Sequence, residues 1–261
     1  METNAFKGLM RKEWLLSKNT FILLICFKLF IWAVVLGGSL FTKNHELLYI
    51  VTSMIIGIHV IYITMIVGSG LSLEEKSQMW LHNPGSTSHI LGSKLLTGIW
   101  LQITSLCTAF LLLGITVIFF DPGGTTVNLL TAESIFQMSV LITVSGLELA
   151  MLYTFYWAIY HSFGKFYYLA KFKVVLFTLF IMASILLILF VEKQLLAGLE
   201  LILPFPIEMT TFMNVHIGED GLWISSGGEK ISWGGMLFST LKITGLFFLS
   251  SWLLNKVVEV K

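Results

Sequence analysis

Six apolar runs constrain this chain more than any other feature of its sequence. They are Thr20–Phe41, Leu47–Leu71, Ile90–Phe120, Ser134–Tyr160, Phe172–Val191 and Gly235–Leu254. A helix needs about 20 apolar residues to cross the roughly 30 Å hydrocarbon layer of a bilayer, and each run is long enough. They read as helices because hydrocarbon leaves no partner for an unpaired backbone group, and the alternation of a barrel strand is absent. The sequence therefore predicts an all-α membrane protein of six transmembrane helices forming one domain over residues 1–261, and no separate soluble domain.

Composition agrees. Hydrophobic residues make up 56% of the chain and charged residues 12%, against about 45–50% and about 25% in soluble domains. No core of this size could hide that surplus, which excludes a water-soluble enzyme. The net charge of +1 gives no broad basic face for nucleic acid. Cys26 and Cys107 both lie inside apolar runs, so no disulfide framework is expected.

Lys and Arg in short loops set orientation. Lys7, Arg11, Lys12, Lys18, Lys76, Lys94, Lys165, Lys171, Lys173, Lys256 and Lys261 fall on one side of a six-span chain, against Lys43, Lys193 and Lys230 on the other. Both termini are expected in the cytoplasm. The first apolar run exceeds the 7–15 residues typical of a secretory leader and no small-residue cleavage site follows it, so it reads as a retained span.

Three connecting segments carry information. Residues 4–19 place Phe6, Leu9, Met10 and Trp14 at helical spacing beside Lys7, Arg11, Lys12 and Lys18, as in a helix lying in the membrane interface; a simple cationic anchor is the plainer alternative. Residues 74–88 read EEKSQMWLHNPGSTS. They open with Glu74, Glu75 and Lys76 on a short helix carrying Met79, Trp80 and Leu81, which Asn83-Pro84-Gly85 ends. Such a helix suits a partner's groove, and a plain interfacial loop is equally compatible. Residues 192–233 form the one long external segment. Its apolar first part, broken at Pro204 and Pro206, predicts two short half-helices; its polar second part should face water. Its acidic residues fit a cationic substrate, or follow simply from the positive-inside bias.

Chemistry is sparse. No GxxxxGK[ST] phosphate loop, HExxH, CxxC pair or GxSxG occurs, so neither an ATP site, a metal site nor a catalytic constellation is expected. Lys28, Glu148 and Lys242 lie within spans, where ionisable groups are costly and face a protein interior or a wet cavity. At 1.5 Å per residue, Lys28 sits about 12 Å from one membrane face and Glu148 about 21 Å from the other. In a core of about 30 Å these depths are similar, so a Lys28–Glu148 ion pair is expected. A polar lining of a transport path is the alternative, and Lys242, placed nearer the outer face, is expected to snorkel.

The basic start containing RKEW, followed by a span and by LEEKSQMWLHNPGSTSHILGSKLL, resembles the permease subunits of type-two ABC exporters. In that family an acidic residue, a short apolar helix, a P-x-S/T turn and I-L-G-K follow in order. Here they match Glu74–Glu75, Met79–Leu81, Pro84–Ser86 and Ile90–Lys94, with Asn83-Pro84-Gly85 replacing the more usual Leu-Pro. The resemblance implies that Phe6, Arg11, Lys12 and Trp14 belong to an elbow helix. It also implies that Glu74, Glu75, Met79, Trp80, Leu81 and Pro84 form a coupling helix, and that Pro204 and Pro206 shape an outer gate. It implies a transporter of two permeases, identical or homologous, and two copies of an ABC ATPase in a bacterial cytoplasmic membrane, with ATP and Mg held by the ATPase. The cargo class it implies is an amphipathic peptide or other hydrophobic molecule, moved outward. An ion-gradient-driven secondary transporter and a non-transporting scaffold are the competing expectations.

Overall fold

A computed structural model describes residues 2–43, 45–77, 86–120, 131–163, 171–202, 206–218 and 221–258. The elements are α1 (Glu2–Thr42), α2 (Glu46–Ile58), a 3-10 turn (His59–Ile61), α3 (Tyr62–Ser77), α4 (Thr87–Phe120), α5 (Ala132–Phe163), α6 (Lys173–Ile202), β1 (Pro206–Gly218), β2 (Gly221–Ser232) and α7 (Trp233–Leu253), which ends in a π turn (Leu254–Val258). Among the described residues, six helical segments are long and apolar enough to cross a membrane, with α2, the 3-10 turn and α3 together making one crossing. Every membrane-length element is a helix, as expected.

Two expectations are corrected. No break separates an interfacial helix at 4–19 from the first span: α1 is one helix of 41 residues, about 60 Å long at 1.5 Å per residue. Its buried polar residues are Glu13, Ser17, Lys28 and Ser39. Their separations of one turn and then three turns put all four on one face, a buried polar stripe that runs down the helix on a different side from the exposed Lys7, Arg11 and Lys18. The second correction concerns the long external segment. Helix α6 continues to Ile202, and instead of two half-helices residues 206–232 form an antiparallel hairpin with Pro206 opposite Ser232 and Gly218 opposite Gly221. Proline lacks a ladder donor, and the first residue of a strand accommodates it. A register shift between Thr211 and Met213 interrupts the ladder.

Helix α1 is patterned inside out. Leu15, Leu23, Phe27, Phe30 and Val34 of α1 are exposed, while its polar stripe turns inward. Lipid takes the place of water around such a surface. The core has two main apolar clusters. Near the end that carries the N-terminus, Ile63, Val67 and Leu71 pack on Leu91, Leu95, Ala150, Met151 and Leu254. Toward the opposite end, Ile55 and Ile56 pack on Leu106, Ala109, Leu113, Val117 and Ile142. The 3-10 turn lies between them, near the middle of its 31-residue crossing.

The second crossing and α5 run side by side in the same direction. Gly68 meets Tyr153, Val60 meets Gly146, and Glu75 meets His161 at a near-constant sequence offset. At Gly146 the neighbour is backbone: a Cβ would stand 3.1 Å from the Val60 carbonyl and 3.2 Å from the Gln102 Oε1. Gly146→Val should therefore destabilise the bundle by about 1–3 kcal/mol through overpacking. Gly114→Ala, with nothing within 4 Å of the new carbon, should be neutral or mildly stabilising. Heating each variant in detergent and following the monodisperse fraction by size-exclusion chromatography reads the difference.

Candidate functional site

Polar and ionisable side chains gather at three places. The first lies toward the N-terminal end of the bundle. Lys94 of α4 donates to Glu13 of α1 at 2.8 Å and stands 3.1 Å from Glu74 of α3. Lys12 donates to Glu74 and lies 3.5 Å from Glu13. The side chains of Glu13, Glu74 and Lys94 are 3%, 2% and 1% exposed, so two carboxylates and the Lys94 ammonium lie away from solvent, and the half-buried Lys12 completes the charge balance. Gly70 makes room: a Cβ there would come within 3.3 Å of the Lys94 Nζ. Three separate stretches of chain, from α1, α3 and α4, are thereby tied together. Alongside, the His161 imidazole lies 3.5 Å from Glu75, and the Lys173 ammonium sits over the Tyr160 ring at 3.6 Å.

The second place is the interruption of the second crossing. A 3-10 turn inside a long helix frees backbone carbonyls, and His59 Nδ1 takes up one of them, that of Ile55, at 2.7 Å. A carbonyl can only accept, so in the neutral ring Nδ1 carries the proton. Nε2 then accepts from the Ser105 hydroxyl, 2.9 Å away. The same Ser105 oxygen accepts from Lys28 Nζ at 3.0 Å, and Lys28 also donates to the Ser105 carbonyl at 2.8 Å and to Thr108. Tyr62 stacks on His59 with ring centroids 5.5 Å apart. One turn before Ser105, Gln102 is 0% exposed, and neither of its amide atoms has a hydrogen-bond partner among the described residues. A buried lysine is thus held by hydroxyl and carbonyl oxygens at mid-height of the bundle.

The third place joins α5, α6 and α7. Lys242 donates to Glu148 and lies 3.3 Å from Glu192. The expected Lys28–Glu148 pair is therefore not formed. Both residues do sit at mid-height, but Lys28 faces α4 while Glu148 faces α7. Lys242, expected to snorkel, instead bridges two carboxylates.

Of the other residues singled out in the sequence, Phe6 packs edge-on against His89 at 6.2 Å and Trp14 lies 6.4 Å from Phe21, while Arg11 is exposed. Glu74 is buried and Glu75 exposed. Met79, Trp80, Leu81, Pro84 and Pro204 lie outside the described residues, and Pro206 opens β1. The sequence reading gave no role to Glu13, Ser105, His59, Gln102 or Glu192. Glu13 was legible: it is the lone acid in RKEW, and it shares a helix face with Ser17 and Lys28. The partners of His59 and Glu192 leave no such pattern in one sequence.

Removing one member of a buried ion group strands the other and costs about 3–5 kcal/mol. Glu13→Gln should therefore markedly lower the midpoint of thermal inactivation in detergent. Lys12→Gln, whose side chain is 29% exposed, should cost no more than about 1 kcal/mol, as for other solvent-screened pairs.

No family model, curated protein or solved structure matches this chain.

Proposed function

We propose that this chain is the membrane-spanning permease subunit of an ATP-driven exporter of the type-two ABC class. The observation that carries this reading is the buried Lys12–Glu13–Glu74–Lys94 cluster. A partner pressing on Met79, Trp80 and Leu81 would act on the chain five to seven residues beyond Glu74. Through Glu74 the load would pass to α1 and, through Lys94, to α4, with little lost in bending because the linkage is buried and multiply bonded. That is what a rigid-body switch driven from outside the membrane requires. On this reading both termini are cytoplasmic, the 74–88 segment docks on one of two ATPase copies that hold ATP and Mg, and a second permease completes the path. The cargo is an amphipathic peptide or other hydrophobic molecule moved outward across a bacterial cytoplasmic membrane.

The interrupted second crossing supports a second reading, since broken helices beside polar groups at mid-membrane also build the binding sites of ion-gradient-driven transporters. The energy source separates the two. Isolated from native membranes, the chain should bring down a stoichiometric ATPase whose activity stays with the eluate. Changing Met79, Trp80 and Leu81 together to Asp should abolish recovery of that subunit while the chain itself still inserts. A chain recovered without an ATPase, transporting in vesicles on an ion gradient alone, would overturn the exporter reading.

A further inference from the structure

The groove between α6 and α7 is the strongest unassigned feature of the molecule. It has a volume of about 490 Å³ and is lined by Leu187, Ile188, Val191, Leu195, Phe238 and Leu241, with Glu192 and Lys242 as its polar members. Leu187, Leu195 and Leu241 are 64%, 49% and 64% exposed, so the groove opens sideways, toward lipid. Behind Lys242 stands Glu148, sixteen residues into the 32-residue α5 and hence at mid-height. Two carboxylates share one ammonium there. Lys193, the next residue after Glu192, is turned about 100° around the helix and is not part of the lining.

We infer that this groove binds a lipophilic cation, a molecule with one positive charge and enough apolar surface to enter the membrane. Among the described residues, the groove and the position behind it set two carboxylates, Glu148 and Glu192, against the one ammonium of Lys242, so a second cation is the complementary occupant. Anions are excluded by the same field, which is strong where water is absent. A zwitterionic lipid is disfavoured because its phosphate would lie against two carboxylates. The apolar lining supplies affinity without direction, and the carboxylates supply the choice of sign. This site does not depend on the exporter reading, because binding needs neither ATP nor a partner.

Tetraphenylphosphonium and tetraphenylborate make the test, being close in shape and opposite in charge. Equilibrium binding of each, radiolabelled, is measured to the full chain in nanodiscs of phosphatidylcholine. Tetraphenylphosphonium should bind saturably, at least tenfold tighter than tetraphenylborate. Glu192→Gln should weaken it at least tenfold, and Leu187→Trp, which fills the groove and leaves the charges alone, should weaken it too. Lys242→Gln, which removes the competing ammonium, should tighten binding; a merely structural triad would show no gain. Each variant is first checked for a monodisperse size-exclusion peak, and Leu187→Trp keeps the test open should a charge variant fail to fold. Equal binding of the two ions, or tetraphenylphosphonium affinity unchanged in both Glu192→Gln and Leu187→Trp, would overturn the inference. So would absence of binding because a second copy of the chain covers the groove.

Discussion

Hydrocarbon offers no hydrogen-bond partner, and the rest of this structure follows from that. Every backbone group at membrane depth has to be satisfied within its own helix, because an unpaired one costs several kcal/mol where no water can reach it. The regular ladder is broken in the middle of a crossing at His59–Ile61, and there a side chain does the missing work: His59 takes the Ile55 carbonyl. Thr52, Thr116 and Thr154 similarly return their hydroxyls to carbonyls four residues back. Among the described residues, strands occur only at the end where α6 gives way to α7, where a ladder can form outside the apolar span.

The same constraint governs the charges. In a chain with 12% charged residues, those inside the bundle are not scattered. At the N-terminal end two acids and two lysines close on one another. At mid-height Lys28 is surrounded by neutral oxygens, and across the bundle Lys242 serves two acids. The first group is electrically balanced, which suits a mechanical joint. The third is not, which suits a ligand. Balance, more than the presence of charge, separates scaffold from site here, since buried ion groups are by themselves weak evidence for stability.

Much of this was legible from the residues. Span number and approximate limits follow from apolar length, and the depth arithmetic correctly brought Lys28 and Glu148 to the same level. Depth says nothing of direction around the helix axis, however, and the pairing failed on that count: one residue faces α4, the other α7. The amphipathic start was read as an interfacial helix because its cationic flank is conspicuous. Yet no proline or glycine interrupts residues 9–36, and Glu13 and Ser17 are in phase with Lys28 and Ser39. Pro204 and Pro206 break a helix and so mask the hairpin in the sequence. Its signal was present in the β-branched residues from Ile207 to Ile231 and in Gly218-Glu219-Asp220-Gly221, a two-residue separation bounded by glycines. The 3-10 turn left no signal at all, since His-Val-Ile is compatible with a continuous helix.

Inside a membrane the hydrophobic effect cannot hold helices in register, because lipid tails are as apolar as leucine. Helix α1 illustrates what does. Its apolar residues face outward and would tolerate any rotation or slide, but its polar stripe is fixed at three heights: Glu13 to Lys94, Lys28 to Ser105, and Ser39 to His45 at 2.7 Å. Glu13 and Lys28 are fifteen residues apart, about 22 Å along the axis. His59 and Glu74, their counterparts on the second crossing, are also fifteen apart, so the two crossings are held at matching levels. A slide of one turn would strand a carboxylate, an ammonium and a serine at once. The polar stripe therefore specifies the position of α1 against α3 and α4, and the apolar face has only to be greasy enough to stay in lipid.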